Sequence, residues 1–280
     1  MIKGRRRPAL GALRKRGFDV LSTAHAEAIL TSAFASELDE LCSLLVRLTL
    51  PVSEIIGSGG GETKFTQRMR HSLGKLGWRK HSFKIEKTVD GMPRESISHE
   101  VDHVRNAEAG VIALEIEWNN KDPFFDRDLE NFKRLHAEGA ISVGVILTRG
   151  ASLQVQMSDI VARFAKVRDI RDFPSLRAAG VEPTPKQRAN IDKRTRRAKE
   201  PVPFAQAWVD NFVQNKFGAA TTHWAKLIDR VDRGVGNPCP LLLIGLPASI
   251  VHVDQAKVTP LDDAESPEPD SDSVSDDPAA

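Results

Sequence analysis

The sequence predicts an α/β fold in which a mixed central β-sheet is flanked by helices. Three observations carry the prediction. Val111-Ile112-Ala113-Leu114 and Ile141 to Thr148 are apolar runs of the length expected for buried strands. Between them, Phe125, Leu129, Phe132 and Leu135 recur at helical spacing. Upstream, Phe83 and Ile85 alternate with Lys84 and Glu86, the pattern of a half-exposed strand.

Each element follows in chain order. Ala24 to Val46 has helical spacing, with Ala28, Leu30, Phe34, Leu38, Leu41 and Leu45 as its stripe, and Pro51 ends it. After Gly57-Ser58-Gly59-Gly60-Gly61, a second helix runs from about Thr63 to Leu76 and stops at Gly77. Trp78 to Lys87 is a strand, Ser96 to Val104 a second, and Asn106 to Gly110 the turn into a third. Asp122 caps a helix that starts at Pro123, runs through His136 and closes at Gly139. The strand Ile141 to Thr148 then lies parallel to its neighbour through this crossover. Asp159 to Phe164 is helical, and Pro174 to Pro185 irregular. Phe204 to Phe217 is a helix capped by Gly218, Thr222 to Val231 another, and Pro240 to Leu246 a buried strand.

The 280 residues divide into a basic N-terminal arm (1–20), a single domain (21–260) and an acidic tail (261–280) expected to be disordered. The formal charge of +2 hides this asymmetry. The tail carries eight acids and no bases, so residues 1–261 hold 40 bases against 30 acids, a net +10. Lys3 to Arg16 has seven bases and no acid, and Lys186 to Lys199 seven bases against Asp192 alone. Such a body suits a polyanion. No apolar run approaches the length of a membrane span, and no signal-peptide core is visible. Cys42 and Cys239 show neither pairing nor zinc spacing, so a reducing cytoplasm is expected.

The chemistry concentrates at Glu115-Ile116-Glu117, which ends an apolar run thirteen residues after Asp102. Alternation puts Glu115, Glu117 and Asn119 on one face of the strand. Carboxylates side by side on a half-buried face repel unless a cation lies between them, and hard divalent ions such as Mg²⁺ take such oxygens. If Val104 faces Val111 across the hairpin, Asp102 lies opposite Ala113, and Glu115 is its diagonal neighbour roughly 7 Å away. A register of the other parity would put Asp102 on the opposite face. The glycine cluster is no nucleotide loop: Glu62-Thr63-Lys64 stands where Gly-Lys-Ser/Thr is needed, and a dinucleotide fingerprint needs glycine at Glu62. Glu62 opens the following helix, where the dipole favours a carboxylate, and the flexible glycines could also bring it beside Asp102.

Taken together, Gly59-Gly60-Gly61-Glu62 with Phe65-Thr66-Gln67-Arg68, Ser98-His99-Glu100-Val101-Asp102-His103, Ala113-Leu114-Glu115-Ile116-Glu117-Trp118-Asn119-Asn120-Lys121, Asp126-Arg127-Asp128-Leu129 and Thr148-Arg149-Gly150 resemble the type II restriction endonucleases of the BglII and BstYI group. These belong to the PD-(D/E)XK nuclease superfamily, with BamHI a more distant relative. The resemblance is strong over about residues 55–150. It implies a restriction-endonuclease-like core and a site-specific deoxyribonuclease that hydrolyses double-stranded DNA with Mg²⁺. Asp102 stands at the bridging metal-ligand position and Glu115 at the second. Glu117 replaces the usual lysine, as in BamHI-like enzymes, and would direct the attacking water. Glu62 falls where the subgroup has an additional upstream active-site residue. Val101 stands where the superfamily motif has proline.

Sequence reading needs side chains able to bond base edges, and Asn119, Asn120, Thr221, Thr222, His223 and Arg230 have that chemistry, with Lys121 a phosphate contact. Cutting both strands of a palindrome implies a homodimer. The relatives recognise GATC-centred sites, and a cognate DNA methyltransferase is expected in the same system. Two other readings use the same residues: a DNA-binding protein on an inactive nuclease scaffold, and a sequence-indifferent repair nuclease.

Overall fold

The structure, a computed structural model, describes residues 9–57, 62–197 and 199–254, with the backbone alone over 93–97. The Gly59-Gly60-Gly61 cluster, the first eight residues of the predicted arm and the predicted tail lie outside these. In chain order the elements are α1 (Ala9–Lys15), β1 (Asp19–Thr23), α2 (Ala26–Ala33), α3 (Ala35–Val46), β2 (Leu50–Pro51), α4 (Val52–Ile56), α5 (Lys64–Lys75), β3 (Arg79–Val89), β4 (Met92–Ala107), β5 (Gly110–Glu117), α6 (Phe124–Ala137), β6 (Val143–Arg149), α7 (Ala151–Val167), α8 (Phe173–Ala178), α9 (Pro185–Thr195), α10 (Phe204–Phe217), α11 (Trp224–Asp232), β7 (Leu241–Leu246) and β8 (Val251–His252). Among the described residues no helix is long and apolar enough to cross a membrane.

Six strands form one mixed sheet in the order β1-β7-β6-β5-β4-β3, so the architecture is α/β with a central sheet between helices. β5, β6 and β7 are mutually parallel at its centre, and β1, β4 and β3 run antiparallel to their neighbours. Every residue of β6 and β7 is buried, as expected where helices cover both faces.

One face buries α1 to α5, α7 and α10 against Ile112, Leu114, Val145, Leu242 and Ile244. On the other, α6 and α11 pack over Ala113, Ile146 and Leu243 through Phe125, Leu129, Phe132, Leu135 and Leu227. Gly144 makes that approach possible: a Cβ there would stand 2.4 Å from Phe132 Cδ2. α6 is therefore pressed onto the sheet, and its polar stripe residue is carried inward with it.

Several predicted elements differ in detail. The helix expected over 24–46 breaks at Phe34, whose φ of −127° leaves the helical range, giving α2 and α3. The region expected to be irregular contains α8, where Asp172 and Ser175 form a capping box and Pro174 takes an initial position. Pro123, not Asp122, is the residue before α6, because Asp122 is drawn into ion pairs with α11. Within the predicted arm, α1 buries Leu10 and Leu13 completely in the first-face core. β1 had no clear sequence signal. Cys42 and Cys239 are free and buried, and burial pushes both thiols up to about 12.

Candidate active site

The hairpin β4–β5 decides whether the acids can meet. Its register pairs His103 with Leu114 and Val104 with Ala113, so continuing the ladder puts Asp102 opposite Glu115. The expected pairing of Val104 with Val111 is off by two positions, because the connection is the tight turn Glu108–Ala109 and not a longer loop. The parity is as expected, and Asp102 and Glu115 share one face. The Asp102 backbone N–H reaches Glu115 Oε1 at 3.4 Å.

β4 is also bulged at this point. On its other side, Arg79 pairs with Val104 and His81 with Val101, so Asp102 and His103 oppose Lys80 alone. A bulge re-aims side chains and ends regular pairing, and such features recur beside active sites. The bulge leaves Asp102 exposed at the rim while Glu115 (7 % exposed) and Glu117 (3 %) sit below it.

A fourth acid joins them. Asp128 from α6 is 2 % exposed and accepts from Arg127 Nε at 3.0 Å. In the sequence Asp128 stands within Asp126-Arg127-Asp128-Leu129 and carries a signal of its own. It occupies the position after Phe125 and before Leu129 and Phe132 in an otherwise apolar stripe.

Burial, then the charge of Asp128, then those of Asp102 and Glu117, push Glu115 well above the usual carboxylate range. Glu117 is pushed up in the same way, first by burial and then by Asp128, while Asn120 and Arg127 pull it down. Asp128 is raised as well, because burial outweighs its pairing with Arg127. With all acids ionised, Asp128 Oδ2 is buried without a donor. The contact between the two carboxyl groups raises Glu117 and lowers Asp128.

Among the described residues, no group of three or more His, Cys, Asp or Glu is gathered in metal-holding geometry. The expected convergence is thus one of face, not of a common point. The donor chemistry nevertheless fits a hard cation: clustered carboxylate oxygens, out of water, whose mutual repulsion a divalent ion would relieve.

Glu62 lies one residue before the Thr63 cap of α5, not in the first turn, since it is Thr63 that accepts the Thr66 N–H. Arg70 Nη2 holds its carboxylate at 3.0 Å. Arg70 and Asp102 both act on Lys80 and His103, so Glu62 reaches this neighbourhood through Arg70.

The candidate DNA contacts, about a hundred residues apart in sequence, are brought together in part. Lys121 and Thr221 form an antiparallel bridge, the Asp122 N–H donates to Ala220 O at 3.1 Å, and the Thr222 N–H to Asn120 O at 2.9 Å. Asn120 and Lys121 are exposed, and Asn120 Nδ2 donates to Glu117 Oε2 at 3.0 Å. Asn119, Thr221 and His223 are half-buried beside them. Thr222 is completely buried and cannot meet a base edge. Arg230 is likewise withdrawn, its Nε 2.8 Å from Asp126 Oδ2 and its Nη2 3.5 Å from Asp122 Oδ2. It closes α11 onto the start of α6. All these groups sit at or beyond the carboxyl end of β5, the edge where parallel sheets bind ligands.

Residues 18–246 match the family described as restriction endonuclease BglII/BglIII, which is most of the chain. No curated protein matches. The chain belongs to this restriction-endonuclease family, whose members are nucleases, hydrolases that act on double-stranded DNA.

Proposed function

From this membership in the BglII/BglIII family we propose that the protein is a type II site-specific deoxyribonuclease, which hydrolyses phosphodiester bonds of duplex DNA with Mg²⁺. The observation that carries the reading is the burial of Glu115 and Glu117 beside Asp128, on the face they share with Asp102. A fold gains nothing from packing like charges there; a cation brought to phosphate does.

Asp102 and Glu115 would hold the ion. When bound, Mg²⁺ supplies positive charge against the scissile phosphate, which stabilises the charge that develops on its oxygens. Glu117 takes the proton of the attacking water, which adds to phosphorus opposite the departing 3′ oxygen. Burial and then the neighbouring Asp128 raise its affinity for a proton, the direction a general base needs. Asn120 holds one Glu117 oxygen and leaves the other for that proton. Glu62 supports Asp102 by holding Arg70. Asn119, Asn120, Thr221 and His223 are the candidate base readers, and the exposed Lys121 the phosphate contact. A homodimer would place two such sites on a palindrome, with a GATC-centred sequence the first to try and a host methyltransferase protecting it.

Glu115→Ala tests the assignment on phage DNA with Mg²⁺. We expect cutting to fall by about 10³-fold or more, the loss of roughly several kcal/mol of charge stabilisation, with duplex binding by gel shift retained. Cutting comparable to wild type would refute the role. Discrete bands from the wild-type digest support site specificity, a smear supports a sequence-indifferent nuclease, and shifted but uncut DNA a binding protein.

A further inference from the structure

Arg149, the last residue of β6, is completely buried, and among the described residues no carboxylate neutralises it. Burial pushes its guanidinium down to about 9, which leaves it charged at neutral pH. Nη1 is buried with no hydrogen-bond partner among the described residues. A cation so placed destabilises a fold, and an apolar side chain of similar volume would usually serve stability better. Its use must lie in what it holds.

Its other nitrogens all point at one segment. Nε donates to Thr222 O at 3.2 Å, and Nη2 to Thr221 Oγ1 at 2.7 Å and also to Thr222 O. The guanidinium lies over the Phe217 ring, 4.8 Å from its centroid. Phe217 meets Trp118 at 6.1 Å, and Trp118 meets Phe65 at 4.6 Å, so an aromatic column fixes the platform. The backbone beneath Arg149 is equally fixed. The Gly150 N–H donates to Leu246 O at 2.9 Å, and a Cβ on Gly150 would stand 2.7 Å from that oxygen. Arg149 is thus a rigid post at the carboxyl end of β6, gripping the segment that pairs with Asn120, Lys121 and Asp122.

We infer that Arg149 is a positioning residue: by clamping Thr221 and Thr222 it holds their bridge to Asn120 and Lys121, and through Asn120 it orients Glu117 and the DNA-facing edge. The part concerning cleavage rests on the function proposed above; the clamp itself does not. A fork of donors is needed, since two acceptors on adjacent residues must be met from one fixed plane. Lysine offers the charge without the fork, and methionine fills the space with neither.

Arg149→Met and Arg149→Lys, made in the full chain, separate these roles. In both we expect a melting temperature equal to or above wild type for Met and near it for Lys. Amide exchange at Asp122 and Thr222 should quicken by about tenfold or more. Cleavage should lose about tenfold in kcat, and the preference for the recognition site over a singly mismatched site about tenfold more. The inference is overturned by unchanged exchange at those two amides, by full rescue with lysine, or by activity lost only in proportion to stability with discrimination intact. If Arg149→Met fails to fold, Arg149→Lys carries the same decision. A wild-type protein that cuts no DNA would overturn the functional reading, while the exchange rates still decide the clamp.

Discussion

α6 takes part in two charged clusters that were solved in opposite ways. Asp126, with Asp122 just ahead of the helix, meets Arg230, and two acids surround one buried cation. Two residues after Asp126, Asp128 meets Glu115 and Glu117, and three buried acids share the pull of Arg127 from the same helix. The first cluster is balanced: the ammonium of Lys226 and the guanidinium of Arg230 hold Asp122 below its ordinary value even against burial. The second is unbalanced, and its acids are driven toward their protonated forms. Balanced charge joins helices; unbalanced charge waits for a ligand that brings the missing sign.

This contrast can be broken by experiment. The largest effect belongs to the acid side. Glu117→Ala should reduce cutting by about 10³-fold or more, with the melting temperature of the metal-free protein equal to or above wild type. A large loss of stability would mean that Glu117 is a structural acid like Asp122. On the balanced side, Arg230→Ala should destabilise by about 2–3 kcal/mol in denaturant titration, because it strands the facing acids. Full stability after that change would remove the claim that the pair closes α11 onto α6.

pH separates the clusters more gently. Glu115 and Glu117 bind protons more tightly folded than unfolded, so their contribution is fully present below the ordinary value of 4.5 and is lost as pH rises through their raised values. The metal-free protein should therefore melt lower at pH 8 than at pH 5.5, Asp128→Asn should flatten that slope, and divalent cation should lift the pH 8 value. A slope unchanged by Asp128→Asn would show that repulsion from Asp128 is unimportant. The smallest effect is expected for Asp126→Asn. Its side chain is 44 % exposed, so the lost pair should cost less than about 1 kcal/mol. A larger loss would place the joint's strength in Asp126 and not in Asp122.

Much of this was legible in the chain. The stripe on α6, the limits of α10 and the apolar runs of β6 and β7 follow from periodicity, because burying one face of a helix or both faces of a strand requires it. The shared face of Asp102 and Glu115 followed from parity, since neighbouring side chains alternate. Asp128 could have been found as the acid within an apolar stripe. Arg230 and Thr222 could not be judged, because the same chemistry serves a base edge or a buried partner.

The sequence by itself determined the α/β class, the helical and strand periods, and the pair of acids ending a buried strand, all consequences of spacing along the chain. Only the tertiary structure decided the bulge that re-aims Asp102, the arrival of Asp128, the burial of Arg149 and the pairing of Thr221 with Lys121. Those depend on contacts between residues tens to about a hundred positions apart. Such contacts are set by how helices seat on the sheet, and no local pattern records that.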